Sequence, residues 1–356
     1  MDRIARVSPR LLKIIGVIGV VTGYLGMAFI FYWLVKGTWD LLFVPEAIPA
    51  VAPVLPGVKV MPGLPVLSFW HWIIAIFIVA AVHEFMHGVY ARLYNTKVKS
   101  SGIALFGPIL GAFVEPDEKE LAKRSKTAQI SVFAAGPFSN LVLGVVFLLL
   151  FNFLSGPIYA AVYTGDGITV NELVEGYPAA MSGLETPFTI HAINNHETLN
   201  ITSFTESTQH IKPGDTLVLH TDKGDITLKT VENPDNKTRP FIGISGLELD
   251  KKVKPEVEER YGTTLPKIFT WIHMLIFWLV IVNVGVGLFN LLPLGPVDGG
   301  RMFLSGMLAL MKEEKAKRTW AFMSFACLAL IIINLAPYLW KLLLFIIKPV
   351  LLIFGA

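Results

Sequence analysis

The segment His83-Glu84-Phe85-Met86-His87 has the residue types and spacing for metal chemistry. On a helix, residues four apart share a face, so the two imidazoles can hold one metal ion. Glu84 then lies beside that ion, placed to take a proton from water that the metal activates. The surrounding residues 69–92 are apolar, and ionisable groups inside such a run are rare and usually functional. Two histidines leave a catalytic zinc incomplete, because such a site has three protein ligands and an open position. His273 sits near the outer end of its apolar run, while the histidine pair sits near the inner end of its own. At about 1.5 Å per helical residue that separates them by much of a bilayer's roughly 30 Å. Asp298 is the better third ligand. It follows Asn290-Leu-Leu-Pro293-Leu-Gly-Pro296-Val297, a proline-broken helix end at the depth of the pair, and precedes Gly299-Gly300. A carboxylate at that depth is costly unless a cation compensates it. The ligand types favour zinc over other divalent ions.

The elements that position these residues are membrane spans. Of the 356 residues, 53% are hydrophobic and 16% charged, against about 25% charged in a soluble domain. Mean hydropathy is +0.59. These values exclude disorder, a coiled coil and an ordinary cytosolic enzyme. The formal charge of +3 carries no nucleic-acid footprint. A single cysteine, Cys327, permits neither an internal disulfide nor a cysteine-based zinc site.

Apolar runs at 12–35, 69–92, 128–154, 267–292, 319–336 and 338–354 predict about six transmembrane helices. The last two are expected to be separated by a turn near Asn334 to Pro337, and Lys341 and Lys348 leave an interfacial sixth helix open. The first run is read as a retained span, since its apolar core is too long for a cleaved signal. Arg3, Arg6, Arg10 and Lys13 precede it, and further basic loops lie at 93–126 and 299–318. The positive-inside rule puts all three at the cytoplasmic face. The Pro-rich loop 36–68 and the polar region 165–248 then face outward. The expected fold class is a polytopic α-helical membrane protein with a small soluble α+β domain inserted between spans three and four. Its parts are 1–164, 165–248 and 249–356, in a multi-pass cell-membrane protein with the reactive site near the cytoplasmic side. Inside loop 93–126 lies an uncharged island, Gly102 to Val114, too short to span. A re-entrant hairpin buried against protein is the allowed form.

Three motifs of the membrane region, H-E-x-x-H, N-x-x-P-x-x-x-x-D-G-G and Gly136-Pro137-Phe138-Ser139-Asn140, resemble the site-2 protease family of intramembrane zinc metalloproteases. The resemblance implies one zinc per chain, held by His83, His87 and Asp298, with Glu84 as general base. It implies hydrolysis of a peptide bond in or near the transmembrane segment of a membrane-protein substrate, expected to be single-span. Asn290 and Asn140 match family asparagines that would hold the scissile carbonyl or developing oxyanion; helix-to-helix hydrogen bonding is the alternative for both. The island could take an unwound substrate as an added strand, through Gly102, Ile103, Leu105, Gly107 and Gly111, or it could be a packing hairpin. Residues 167–184 resemble the early strands and P-A-A-x-x-G-L helix of protease-associated PDZ domains, and Ser203–Ile211 would be the groove helix. Glu185-Thr-Pro-Phe188 replaces the usual Gly-Asp, so a peptide ligand and a steric gate are both left open. The expected surroundings are the bilayer and the substrate, with no nucleic acid. A membrane metal-ion transporter and an inactive PDZ-bearing scaffold are the alternative functions. An intact Glu84 speaks against the scaffold, and a single compact cluster speaks against a transport path.

Overall fold

The computed structural model describes residues 1–45, 47–58, 64–107, 109–234 and 236–353. Parts of the expected 36–68 loop, the tip of the 102–114 hairpin at Pro108, and residue 354 of the last expected span lie outside the described residues. In chain order the main elements are α1 (Pro9–Phe43), α2 (Phe69–Leu93), β1 (Val98–Phe106), β2 (Ile109–Pro116), α3 (Lys126–Leu150), β3 (Tyr163–Leu173) and β4 (Phe188–Ile193). There follow α4 (Ile201–Thr208), β5 (Thr216–Thr221), β6 (Gly224–Lys229), β7 (Ile244–Val253), α5 (Thr264–Asn290), α6 (Asp298–Leu310) and α7 (Glu313–Ile353). They form two compact units, one holding residues 152–273 and the other most of the remainder.

Among the described residues, five helices are long and apolar enough to cross a membrane: α1, α2, α3 with its continuation to Val162, α5, and α7 as far as Trp340. Their apolar side chains point largely outward. Leu25 on α1 is 68% exposed and Phe322 on α7 is 72% exposed. Such a surface is stable only against lipid. Half of what α1 buries is glycine: Gly16, Gly19 and Gly23 face inward, followed by Met27, Leu34 and Thr38. A Cβ on Gly16 would stand 2.8 Å from Tyr90, and one on Gly23 would stand 2.6 Å from Met302. Lipid offers no hydrophobic drive between helices, so close backbone approach through small residues has to supply the packing.

The expected fifth and sixth spans are one continuous helix, α7, of 41 residues. Asn334 and Pro337 read as a turn in sequence, but Asn334 is spent inside the helix. Its amide donates to Thr38 Oγ1 at 2.6 Å and to Leu330 O at 2.9 Å, and its oxygen accepts from Ala50 N at 2.9 Å. Away from water, a side chain that satisfies polar groups on a neighbouring helix is worth more than a turn. Helices in membranes also tolerate an internal proline such as Pro337. The expected third span likewise extends further: α3 runs into a π-helical turn at Phe151–Ser155 and a short helix at Gly156–Val162.

In residues 152–273 an antiparallel sheet has strand order β7-β3-β4-β5-β6, with His196–Glu197 pairing onto β4. Val170, Phe188, Ile190, Ile193, Leu217 and Leu219 meet in one buried cluster; Phe188 with Ile190 and Leu217 with Leu219 follow the alternation of a strand, and the register of β4 shifts before Ile193. Helix α4 starts at a capping box made by Asn200 and Ser203. The sheet begins at Tyr163 and ends at Val253, wider than 165–248. Lys251 and Lys252 of β7 lie beyond that expected boundary and pair with Gly165 and Thr164 of β3.

Candidate metal centre

Helix α2 presents His83 and His87 one turn apart. Asp298 opens α6, where Pro293 and Pro296 have ended the preceding helix. Gly299 and Gly300 follow for a steric reason: a Cβ on Gly299 would strike the backbone of Leu291 and Leu292, and one on Gly300 that of Leu294. The first turn of α6 therefore lies directly on the chain that leads into it, and Asp298 is turned toward α2. His83 Nε2 is 2.9 Å from Asp298 Oδ2, His87 Nε2 is 3.2 Å from the same oxygen, and the two Nε2 atoms are 3.1 Å apart. His83 and His87 are buried, and the Asp298 side chain keeps 15% exposure.

The donor set fits a small divalent cation. Ligand atoms held at 2.0–2.1 Å around a tetrahedral zinc stand about 3.3 Å from one another, close to the separations seen. His87 Nδ1 lies 2.7 Å from Val132 O. A carbonyl only accepts, so Nδ1 carries the ring proton and the Nε2 lone pair faces the cluster. Gly136 makes the room: a Cβ there would stand 2.6 Å from His83 Nε2 and would touch His87 Nε2 as well. Among the described residues, His83, His87 and Asp298 are the one group of three or more potential ligands whose ligand atoms converge.

Glu84 points into the same cleft, and its Oε2 accepts a 2.9 Å hydrogen bond from the backbone N–H of Val114. The cleft has a volume of about 600 Å³, and His83, Glu84, His87, Asp298 and Asn290 line it. Asn290 donates one amide hydrogen to Val286 O at 3.1 Å. Asn140 is elsewhere. It is fully buried, absent from the cleft wall, and 3.0 Å from His83 Nδ1 through its amide. His273 pairs with Ser155 Oγ at 2.6 Å.

The island of residues 102–114 is the greater part of an antiparallel hairpin in which Gly102 faces Phe113 and Ala104 faces Gly111. Gly107 turns it at φ +60, a conformation that favours glycine. Gly102, Ile103 and Leu105 lie on β1, with Ile103 and Leu105 exposed, and Gly111 lies on β2. None of these five lines the cleft. Val114, Glu115 and Pro116 of β2 do, together with Lys99 of β1. Sequence reasoning passed over Val114, Lys99, the Val132 carbonyl and Arg301. Arg301 lines the cleft while pairing with Glu118 at 3.3 Å and lying over the Phe133 ring. One usable signal existed, the four-residue spacing of Val132, Gly136 and Asn140.

In the sheet-bearing unit, a groove of about 720 Å³ runs along α4 and the start of β7, with Phe204, Thr208, Phe241, Ile242 and Leu247 in its walls. Gly243 enters β7 at φ +82, and a Cβ there would strike Tyr177. The outer edge of β7 has no strand partner among the described residues.

A model of peptidase family M50 matches residues 71–333. An uncharacterized protein of Methanocaldococcus jannaschii is 30% identical over 244 residues, 68% of this chain and 58% of that protein. The zinc metalloprotease RasP of Shouchella clausii is 24% identical over 264 residues, 62% of this chain and 61% of that protein. The chain thus covers less than two thirds of the length of either relative. A PDZ domain of an SdrC-like protein from Listeria monocytogenes aligns at 21% identity and a TM-score of 0.20, over 26% of this chain and 92% of that domain.

Proposed function

Because the chain belongs to peptidase family M50, we propose that it is a multi-pass membrane zinc endopeptidase that cuts a peptide bond in or near the transmembrane segment of a membrane-protein substrate. The observation that carries this reading is the convergence of His83, His87 and Asp298 with Glu84 on one cleft inside an apolar helical unit. The first three residues would hold the zinc, one ion per chain. When bound, zinc would polarise the scissile carbonyl and lower the pKa of water at the site. Glu84 would take the proton from the attacking water and return it to the leaving amine. The Val114 N–H would keep the Glu84 carboxylate aimed while it is charged. The asparagine that lines the cleft, Asn290, is the one suited to a substrate carbonyl, since a second amide hydrogen stays available.

A substrate helix hides its peptide bonds in its own hydrogen bonds. Once unwound, its freed backbone groups need partners, and the hairpin of β1 and β2 would supply them by strand addition along Gly102 to Gly111. The substrate is expected to be single-span. The basic loops would place the amino terminus and the cleft toward the cytoplasm and the sheet-bearing unit outside. The open edge of β7 beside the α4 groove supports a peptide-binding role for that PDZ-like unit over a purely steric one.

The test uses purified wild type and Glu84→Gln in detergent, with and without chelator, on a single-span model substrate. About one zinc in each protein, with cleavage only by metal-loaded wild type, is the expected result. Loss of a general base lowers turnover by about 10²–10⁴-fold. Absence of bound metal from both proteins would sink the reading. Zinc uptake by sealed vesicles carrying the protein, equal for wild type and Glu84→Gln and with no cleavage by either, would return the cluster to the transporter alternative.

A further inference from the structure

Val132, Gly136 and Asn140 recur at every fourth position of α3, on the face turned to the histidine pair. Val132 supplies the carbonyl that fixes His87, and Gly136 the space for both Nε2 atoms. Asn140 completes the row. Its Nδ2 lies 3.0 Å from His83 Nδ1, while its Oδ1 is buried and has no hydrogen-bond partner. A fully buried acceptor without a partner is costly and asks for an explanation.

The tautomers of His83 provide one. With Nδ2 toward the ring, Nδ1 is the acceptor and the ring proton sits on Nε2, which donates to Asp298. That arrangement suits the cluster without a cation. To ligate, Nε2 must give up its proton, so the proton moves to Nδ1, and Nδ1 then needs an acceptor. Rotating the Asn140 amide by half a turn exchanges oxygen and nitrogen within the same envelope. It sets Oδ1 on the Nδ1 proton and gives the orphaned acceptor its partner. We propose that Asn140 is a positioning residue of the metal site: its side-chain oxygen holds the proton of His83 on Nδ1, so that Nε2 is free to bind zinc. Asn140 would do for His83 what the Val132 carbonyl does for His87. Its burial away from the cleft leaves it no access to substrate. This rests on the reading of His83, His87 and Asp298 as zinc ligands.

The experiment measures zinc affinity by competition with a chromophoric chelator, and cleavage at saturating zinc, for wild type, Asn140→Leu and Asn140→Asp. Asn283→Leu is the control, since Asn283 is another fully buried asparagine whose amide bonds only Leu279 O. Asn140→Leu should bind zinc about 10–100-fold more weakly. Asn140→Asp keeps an acceptor on the same atom and should restore affinity to within a few-fold of wild type, by the same logic. Asn283→Leu should leave zinc affinity unchanged, whatever it does to thermal stability. Wild-type affinity in Asn140→Leu would overturn the proposal. So would equal losses in the Leu and Asp variants, or a loss of the same size in Asn283→Leu, because each would mark a packing role. Failure of wild type itself to bind zinc would instead refute the ligand assignment on which the proposal rests.

Discussion

Two histidine–carboxylate pairs in this molecule have nearly the same length and opposite meanings. His83 and Asp298 approach to 2.9 Å in the helical unit, and His220 and Asp225 to 2.8 Å in the sheet-bearing unit. The second pair joins residues five apart in a hairpin, and Asp225 is 66% exposed. Water screens it, and a pair of that kind contributes about 0–1 kcal/mol. The first pair joins residues 215 apart, keeps 10% and 15% side-chain exposure, and shares its oxygen with His87. Two ring nitrogens and a carboxylate oxygen concentrated away from water are expensive without a cation to reconcile them. The contact itself therefore says little. Seclusion and a third convergent ligand separate a site from a surface ion pair.

The sharpest way to break that comparison is to neutralise both acids in turn. Asp298→Asn should lower zinc affinity by more than the roughly 10–100-fold expected for a group that only orients a ligand, and cleavage should go with it. Asp225→Asn should leave zinc content and cleavage unchanged and move stability by less than about 0.5 kcal/mol. A zinc defect in Asp225→Asn, read by metal analysis of the purified protein, would erase the distinction. A middle-sized effect is expected from Gly136→Ala. The added methyl would press on both Nε2 atoms, at about 1–3 kcal/mol of overpacking. Thermal unfolding and zinc content should both fall. Retained zinc at full stoichiometry would show that the histidines can move aside.

The smallest effect tests whether solvent, rather than membership of one unit, decides what a carboxylate does. Asp117 belongs to the helical unit but caps the short helix at Glu118–Ala122 near water. The backbone N–H of Glu120 chiefly holds its carboxyl below the usual range, with Lys99 and the Lys119 N–H adding to this. A lowered folded-state pKa stabilises above the unfolded value, near 3.9, and the contribution is lost as pH falls through the lowered value. Hydrogen exchange at the Lys119 and Glu120 amides should therefore report loss of the cap only below about pH 4. Zinc content at neutral pH should not change in Asp117→Asn, because Asn caps as well as Asp.

The parts of this site that lie along one helix were legible from residue spacing. His83, Glu84 and His87 fall on one turn by arithmetic, and Asp298 stood out as a carboxylate just after a proline-broken apolar helix, at the depth of the pair. What crosses between helices was not legible. The Val132 carbonyl and the Asn140 amide meet the histidines only because α3 docks with Gly136 against them, and no local pattern encodes that approach. The hairpin was visible as an island of glycines. Alternation along a strand cannot tell which of two strands lies beside Glu84, and it is β2, through Val114. Asn334 and Pro337 misled for a related reason. Turn statistics come from chains in water, where an amide has solvent to bond; in α7 the amide of Asn334 has Thr38 and Ala50 instead.

The 215-residue gap between His83 and Asp298 also has a consequence in time. At about 5–20 residues per second of synthesis, the histidine pair precedes its carboxylate by roughly 10–45 s. During that interval the newborn chain already carries Glu84 and both imidazoles, but only two of the three residues proposed to hold zinc. On the zinc-ligand reading proposed above, the site would stay incomplete until Asp298 has been made and α6 has folded back. On that reading the order of the residues would act as a delay, sparing the membrane an active fragment when translation stops early.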